Sequence, residues 1–202
     1  MKSLLVVVAA TVFTATPVHA SAQEGHRGVH FSADLGLVAS SSSMSKFGVS
    51  EKISGAATAF SLTAGGAVTP SLIVGAQVWL TSANDPNLTI TGAGADDYDG
   101  KVSGTATVRG FGPTVKYYTP SDFFVSATPS ITQLKVTGGG SDESDWGLGF
   151  RGAVGKEWRV GPDVGLGVAG VLSLNRNNWD LDGVSTTWST FAAGVVFSAS
   201  FN

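Results

Sequence analysis

Apolar residues recur at every second position through most of this chain, in blocks of about ten residues. The pattern is plainest in residues 191–201. Phe191, Ala193, Val195, Phe197, Ala199 and Phe201 fall on one face, and Ala192, Gly194, Val196, Ser198 and Ser200 on the other. A period of two is the period of a β-strand, whose successive side chains leave opposite faces. The same alternation runs through residues 29–39, with Val29, Phe31, Ala33, Leu35 and Leu37 against His30, Ser32, Asp34 and Gly36. It returns in residues 59–68, 72–80, 105–118, 123–136, 146–157 and 164–174. The pattern therefore predicts eight strands.

The segments between them are of two kinds. Three are short and each holds a proline, Pro70, Pro120 or Pro162; the other four are longer and polar, at 40–55, 82–104, 137–145 and 175–186. Matching the apolar faces across the first proline turn requires an odd loop centred on Pro70, with Phe60 opposite Leu80 and Val68 opposite Leu72. The second requires a loop centred on Ser121, which sets Pro113 directly opposite Pro129. Each proline removes a ladder donor, so a gap or bend is expected between those two strands. At Val108 and Arg109 the alternation falters, and a bulge there could shift the phase. Within 82–104, Leu88-Thr89-Ile90 and Lys101-Val102-Ser103 alternate and could extend the third and fourth strands as a hairpin.

Eight antiparallel strands with short turns on the side of both termini and longer polar loops opposite predict an all-β, up-and-down transmembrane β-barrel, with four long extracellular loops and three short periplasmic turns. A soluble eight-stranded barrel of the lipocalin kind is the competitor. There the second face would meet water and carry Lys, Glu and Gln. Here that face is mostly Gly, Ala, Ser and Thr, which suits a narrow, filled lumen. Aromatic residues also collect at the strand ends. Tyr117, Tyr118, Phe123, Phe124, Trp158 and Phe201 lie near the turns, and Phe60, Trp79, Trp146 and Trp188 near the loops. Two such belts are expected at two membrane interfaces.

Composition narrows this further. The chain has 202 residues and is 43% hydrophobic, but no apolar run is long enough for a membrane-spanning helix. Residues 1–20 combine Lys2, a short apolar core and Val18-His19-Ala20, the pattern of a secretory signal cleaved after Ala20. The domains expected are thus a signal peptide, 1–20, and a barrel, 21–202. There is no cysteine, so disulfides, thiolate metal sites, a Cys nucleophile and a lipid anchor on Cys are all excluded. The formal charge of −3 becomes −4 when Lys2 leaves, and with no basic run nucleic acid is not an expected partner.

Gly110-Phe111-Gly112-Pro113, Gly155-Lys156-Glu157-Trp158, the signal and the aromatic last strand resemble the small OmpX/OmpA-type outer-membrane barrels of Gram-negative bacteria. The resemblance spans the whole mature chain and implies residence in the outer membrane. Its implied partners are membrane lipid, lipopolysaccharide and the barrel-assembly machinery, the last through the C-terminal strand. Larger members carry a peptidoglycan-binding domain after the barrel, and with the chain ending at Asn202 that activity is not expected.

Candidate chemistry lies mainly in the lumen. His30, Asp34, Gln77, Arg151 and Glu157 all fall on the inward face and are expected to form a polar network that plugs the barrel, since buried charges must pair. Ion or solute conduction is the alternative function. Enzymatic activity is not expected. A lipid-modifying Ser-His-acid site needs a histidine at the outer rim, whereas His26 and His30 lie at the periplasmic end. No cofactor is expected. Asp96-Asp97-Tyr98-Asp99 and Asp180-Leu181-Asp182 lack the full ligand set of a calcium loop and read as solvated loops, so no metal site is assigned. The anticipated function is structural or adhesive, through surface loops that could meet a partner, with Tyr98 and Trp179 exposed.

Overall fold

The computed structural model describes residues 26, 28–92, 97–138, 140–181 and 184–201, so the expected signal segment lies outside the described residues. Eight long strands build the wall: β1 (Val29–Lys46), β2 (Val49–Thr69), β3 (Leu72–Asn84), β6 (Thr105–Tyr118), β7 (Phe123–Thr137), β9 (Gly147–Arg159), β10 (Val164–Leu181) and β11 (Val184–Phe201). Three short strands, β4 (Asn87–Gly92), β5 (Tyr98–Lys101) and β8 (Ser141–Glu143), lie at the loop end. Each long strand pairs antiparallel with its neighbours, and β1 pairs with both β2 and β11, which closes the barrel.

The apolar phase points outward all round. Phe31, Leu35, Leu37, Leu62, Val78, Phe111, Val125, Val154, Leu166, Val195 and Phe197 are exposed, while His30, Ser61, Gln77, Thr128, Arg151 and Ser198 are buried in the lumen. A soluble barrel would show the reverse. Exposed apolar residues all round the wall would be untenable in water and are at home in a bilayer.

Several register expectations hold, and some need correction. Phe60 faces Leu80, but Leu72 pairs with Thr69 instead of Val68. The register shifts between Ala67 and Thr69, because the turn tightens to Pro70-Ser71 and leaves Val68 as a bulged residue on the outer surface. Between β6 and β7 the ladder breaks off after Phe111–Ile131 and resumes at Val115–Ala127, leaving a gap where Pro113 faces Pro129. Restoring donors with Pro113→Val and Pro129→Val is expected to stabilise the barrel by about 0.5–1.5 kcal/mol per regained hydrogen bond, read from urea unfolding in lipid vesicles. No bulge occurs at Val108 and Arg109: the β3–β6 register runs unbroken from Leu72–Tyr117 to Asn84–Thr105, so Val108 points in and Arg109 out.

The polar segments at the loop end are largely strand. Ser40–Ser45 continues β1, and the first connection shrinks to Phe47-Gly48, with φ of 51° and 79°. Two left-handed residues match the twist of a two-residue hairpin, and Gly48 takes the second at no steric cost. Residues 175–181 likewise continue β10. Serine and asparagine runs read as loop by composition, yet here they satisfy their backbone groups against equally long neighbours. β4 does not extend the β3–β6 hairpin. It pairs with Val49–Ser54 of β2, which overshoots the shorter β3 and would otherwise present a bare edge.

Candidate functional site: a filled lumen

The lumen is occupied in three tiers. At the turn end, Glu157 on β9 accepts hydrogen bonds from Lys116 Nζ on β6 at 3.3 Å, Tyr118 Oη at 2.9 Å and Ser200 Oγ on β11. The Lys116–Glu157 ion pair is buried on both sides. His26 lies over this tier, its ring 4.0 Å from that of Tyr118 and 6.1 Å from that of His30, and its backbone N–H donates to Pro70 O. Lys116 Nζ also sits 4.1 Å from the Phe124 ring centroid, a cation–π contact.

The middle tier joins a carboxylate, an amide and several hydroxyls from five strands. Asp34 Oδ2 accepts from Ser61 Oγ at 2.5 Å, Gln77 Nε2 donates to Thr63 at 3.1 Å, and Thr128 links Gln77 Oε1 to Thr114. Arg151 stacks its guanidinium 5.7 Å from the Trp79 ring centroid. With Asp34, Gln77 and Lys116 it lines a cavity of about 20 Å³, and its Nη2 has no hydrogen-bond partner among the described residues. That volume admits about one water molecule.

Above it the lumen turns apolar. Asn177 Nδ2 donates to Thr132 O at 2.8 Å, and Trp79 Nε1 donates to Ser130 at 3.2 Å. Trp79, Val108, Leu134, Trp179 and Trp188 then form one buried cluster, backed by Met44, Ile53 and Val136. Small inner-face residues make the room this filling needs. A Cβ on Gly110 would lie 2.6 Å from the Trp79 indole. Gly110→Val is therefore expected to destabilise the barrel by about 1–3 kcal/mol, since the ring is rigid and has nowhere to move; urea unfolding checks this.

The five residues expected in the lumen thus fall into different tiers. Asp34, Gln77 and Arg151 share the middle cavity, although Asp34 and Arg151 make no ion pair with each other. Glu157 and His30 belong to the turn-end tier, where Glu157 pairs with Lys116. Lys116 is absent from the expected network, as is the part that the inward-phase Ser200 and Trp79 play in it. Strand parity locates Lys116 too, because it sits between the outward Val115 and Tyr117. Of the six aromatics assigned to the turn-end interface, Tyr117, Phe123, Trp158 and Phe201 are exposed on the outer wall. Tyr118 and Phe124 are not interfacial: paired across β6 and β7 on the inner phase, both are buried in the lumen. Trp79, Trp179 and Trp188 are also internal. On the outer wall, Lys156 Nζ lies 5.0 Å from the Phe123 ring and 5.9 Å from Trp158, as expected of a lysine at a bilayer edge. Among loop-end acids, Asp96 and Asp182 lie outside the described residues.

This architecture has close parallels among solved structures. Neisserial surface protein A matches at a TM-score of 0.51 and 16% identity, over 88% of this chain and 99% of that one. The outer membrane protein OprG from Pseudomonas aeruginosa matches at 0.52 and 13% identity, over 89% and 99%. The chain has the fold of the small outer-membrane β-barrels. No family model and no curated protein matches its sequence. At such low identity the likeness concerns the fold, and the apolar outer wall independently fits that fold to a membrane.

Proposed function

We propose that this protein is a sealed outer-membrane barrel, delivered by a signal cleaved after Ala20, that acts in envelope structure or surface contact through the strands rising beyond the bilayer. The observation that carries the reading is the lumen. Lys116, Glu157, Tyr118 and His26 fill one end and the tryptophan cluster the other, with a cavity for about one water between. Eight strands leave space for side chains and little else. The short turns, with the start of β1 and the end of β11, face the periplasm, and the extended hairpins of β1–β2 and β10–β11 face outward, available to a partner. The C-terminal strand is the segment offered to the assembly machinery.

A non-catalytic role is supported by the histidines. His26 and His30 are both buried at the turn end, far from the outer rim where lipopolysaccharide chemistry would occur. In planar bilayers the purified barrel is expected to show no steady openings; sustained, ion-selective conductance would overturn the sealed-lumen reading.

A further inference from the structure

On the outer wall, just beyond the apolar belt, β6 and β7 carry Arg109 and Lys135 two and four residues past Phe111 and Ile131 respectively. β8 folds back so that Glu143 lies across from Lys135 in register. Lys135 Nζ donates to Glu143 Oε1 at 2.9 Å and Arg109 Nη2 to Oε2 at 3.3 Å. Two cations share one carboxylate, which leaves one positive charge over.

The arginine is held in place. Gln133 belongs to the outward phase yet is only 8% exposed, because its Nε2 donates to Ser144 O at 2.9 Å beneath Arg109. Its Oε1 accepts from Arg109 Nε at 3.2 Å and Nη2 at 2.7 Å. None of these contacts uses Arg109 Nη1, and both basic side chains remain well exposed, at 49% and 38%. The hydrogen bond from Lys135, with the charges of Lys135 and Arg109, holds the Glu143 carboxyl below its ordinary range. Glu143 is therefore ionised at neutral pH and competes for the same donors.

The height of the cluster fits a headgroup layer. Trp146 packs edge-on against Phe111 at 5.9 Å directly beside it, an aromatic placed where an interface belongs. From Lys135 back to Phe123 on the same strand, about twelve residues at ~3.3 Å each with a tilt of ~40° span roughly 30 Å, the thickness of a hydrocarbon core. Lys156, beside Phe123, marks the other edge.

We propose that Arg109 and Lys135, oriented by Gln133 and balanced by Glu143, form a binding site for the phosphate of an outer-leaflet lipid headgroup. With Nε and Nη2 engaged by Gln133 and Glu143, the guanidinium offers Nη1 to a tetrahedral anion, and the lysine adds a point charge. The acyl chains of the same lipid would run down over Phe111, Ile131 and Leu148, which are exposed below the cluster. That apolar track selects a lipid over free phosphate. The site depends on the membrane placement and not on the sealed lumen, so a conductance measurement leaves it untouched.

The test is a titration of the purified barrel in detergent with a bisphosphorylated lipid A, its dephosphorylated counterpart and inorganic phosphate, read by native mass spectrometry. The phosphorylated lipid is expected to bind about tenfold tighter than the dephosphorylated one, and Arg109→Gln with Lys135→Gln to remove about that factor, the scale of one charge-assisted hydrogen bond. Glu143→Gln, which removes the competitor, is expected to tighten binding several-fold. Equal binding of the two lipids, or no loss in the double variant, overturns the proposal. So does displacement of the lipid by millimolar phosphate, which would mark an ion site only. Should the double variant fail to show heat-modifiable gel mobility, the Glu143→Gln titration decides alone, and unchanged or weaker affinity there counts against the site.

Discussion

Lys116→Met is expected to destabilise the barrel by about 3–5 kcal/mol, the scale of stranding one partner of a buried ion pair. Lys116 and Glu157 are each almost fully enclosed, and Lys116 supplies the only positive charge that bonds Glu157 among the described residues. Tyr118 and Ser200 would still donate to the carboxylate, but neutral hydroxyls do not cancel its charge. The companion variant, Lys116→Met with Glu157→Met, is expected to recover most of the loss, because an apolar pair of similar volume removes both desolvation penalties. Urea unfolding in lipid vesicles, followed by gel mobility, measures both. A single variant within 1 kcal/mol of the parent would show that the pair contributes little to the fold.

Trp79→Ala is expected to cost about 3–5 kcal/mol, the range for emptying a large buried aromatic site. The indole belongs to the apolar cluster, packs over Gly110 and faces the guanidinium of Arg151, so its loss opens the lumen where the polar and apolar tiers meet. Trp79→Phe keeps the ring and loses the hydrogen bond to Ser130, whose hydroxyl retains Thr128 O as a partner, and should cost only about 0.5–1.5 kcal/mol. The same unfolding assay separates the two. Equal effects would mean that the hydrogen bond, and not the ring, matters at this position.

The wall was readable from the sequence because its signal is local. Alternation fixes which side chains face lipid, and proline turns fix register, so Phe60–Leu80 and the Pro113–Pro129 gap follow from counting. The bulge at Val68 was not readable, since two- and three-residue turns fit the same residues. The loop-end strands were missed because serine and asparagine have low strand propensity, and their extended form depends on the neighbouring strand being equally long. In the lumen, parity identifies who faces inward but not who meets whom. Glu157 and Lys116 lie 41 positions apart on strands that do not neighbour each other, and only the curvature of the wall across β7 brings them together. Tyr118 and Phe124 were misplaced for a related reason. Aromatics at a strand end suggest an interface, yet consecutive residues alternate sides, and only Tyr117 and Phe123 can face lipid.

The seam between the first and last strands has a kinetic consequence. Every other wall pairing joins strands that follow one another closely, so each can form as a hairpin within a short stretch of chain. β1 and β11 meet across nearly the whole sequence, from Phe31–Phe201 to Ser43–Ser189. Forming that contact carries the greatest loop entropy and belongs last in the folding order. Ser200, which donates to Glu157, sits on that final strand opposite Ser32. Ser200 reaches the carboxylate across β10, which pairs with both β9 and β11, so the seam adds no donor to Glu157; what it adds is the closed wall, and an unjoined intermediate leaves the turn-end tier open to solvent.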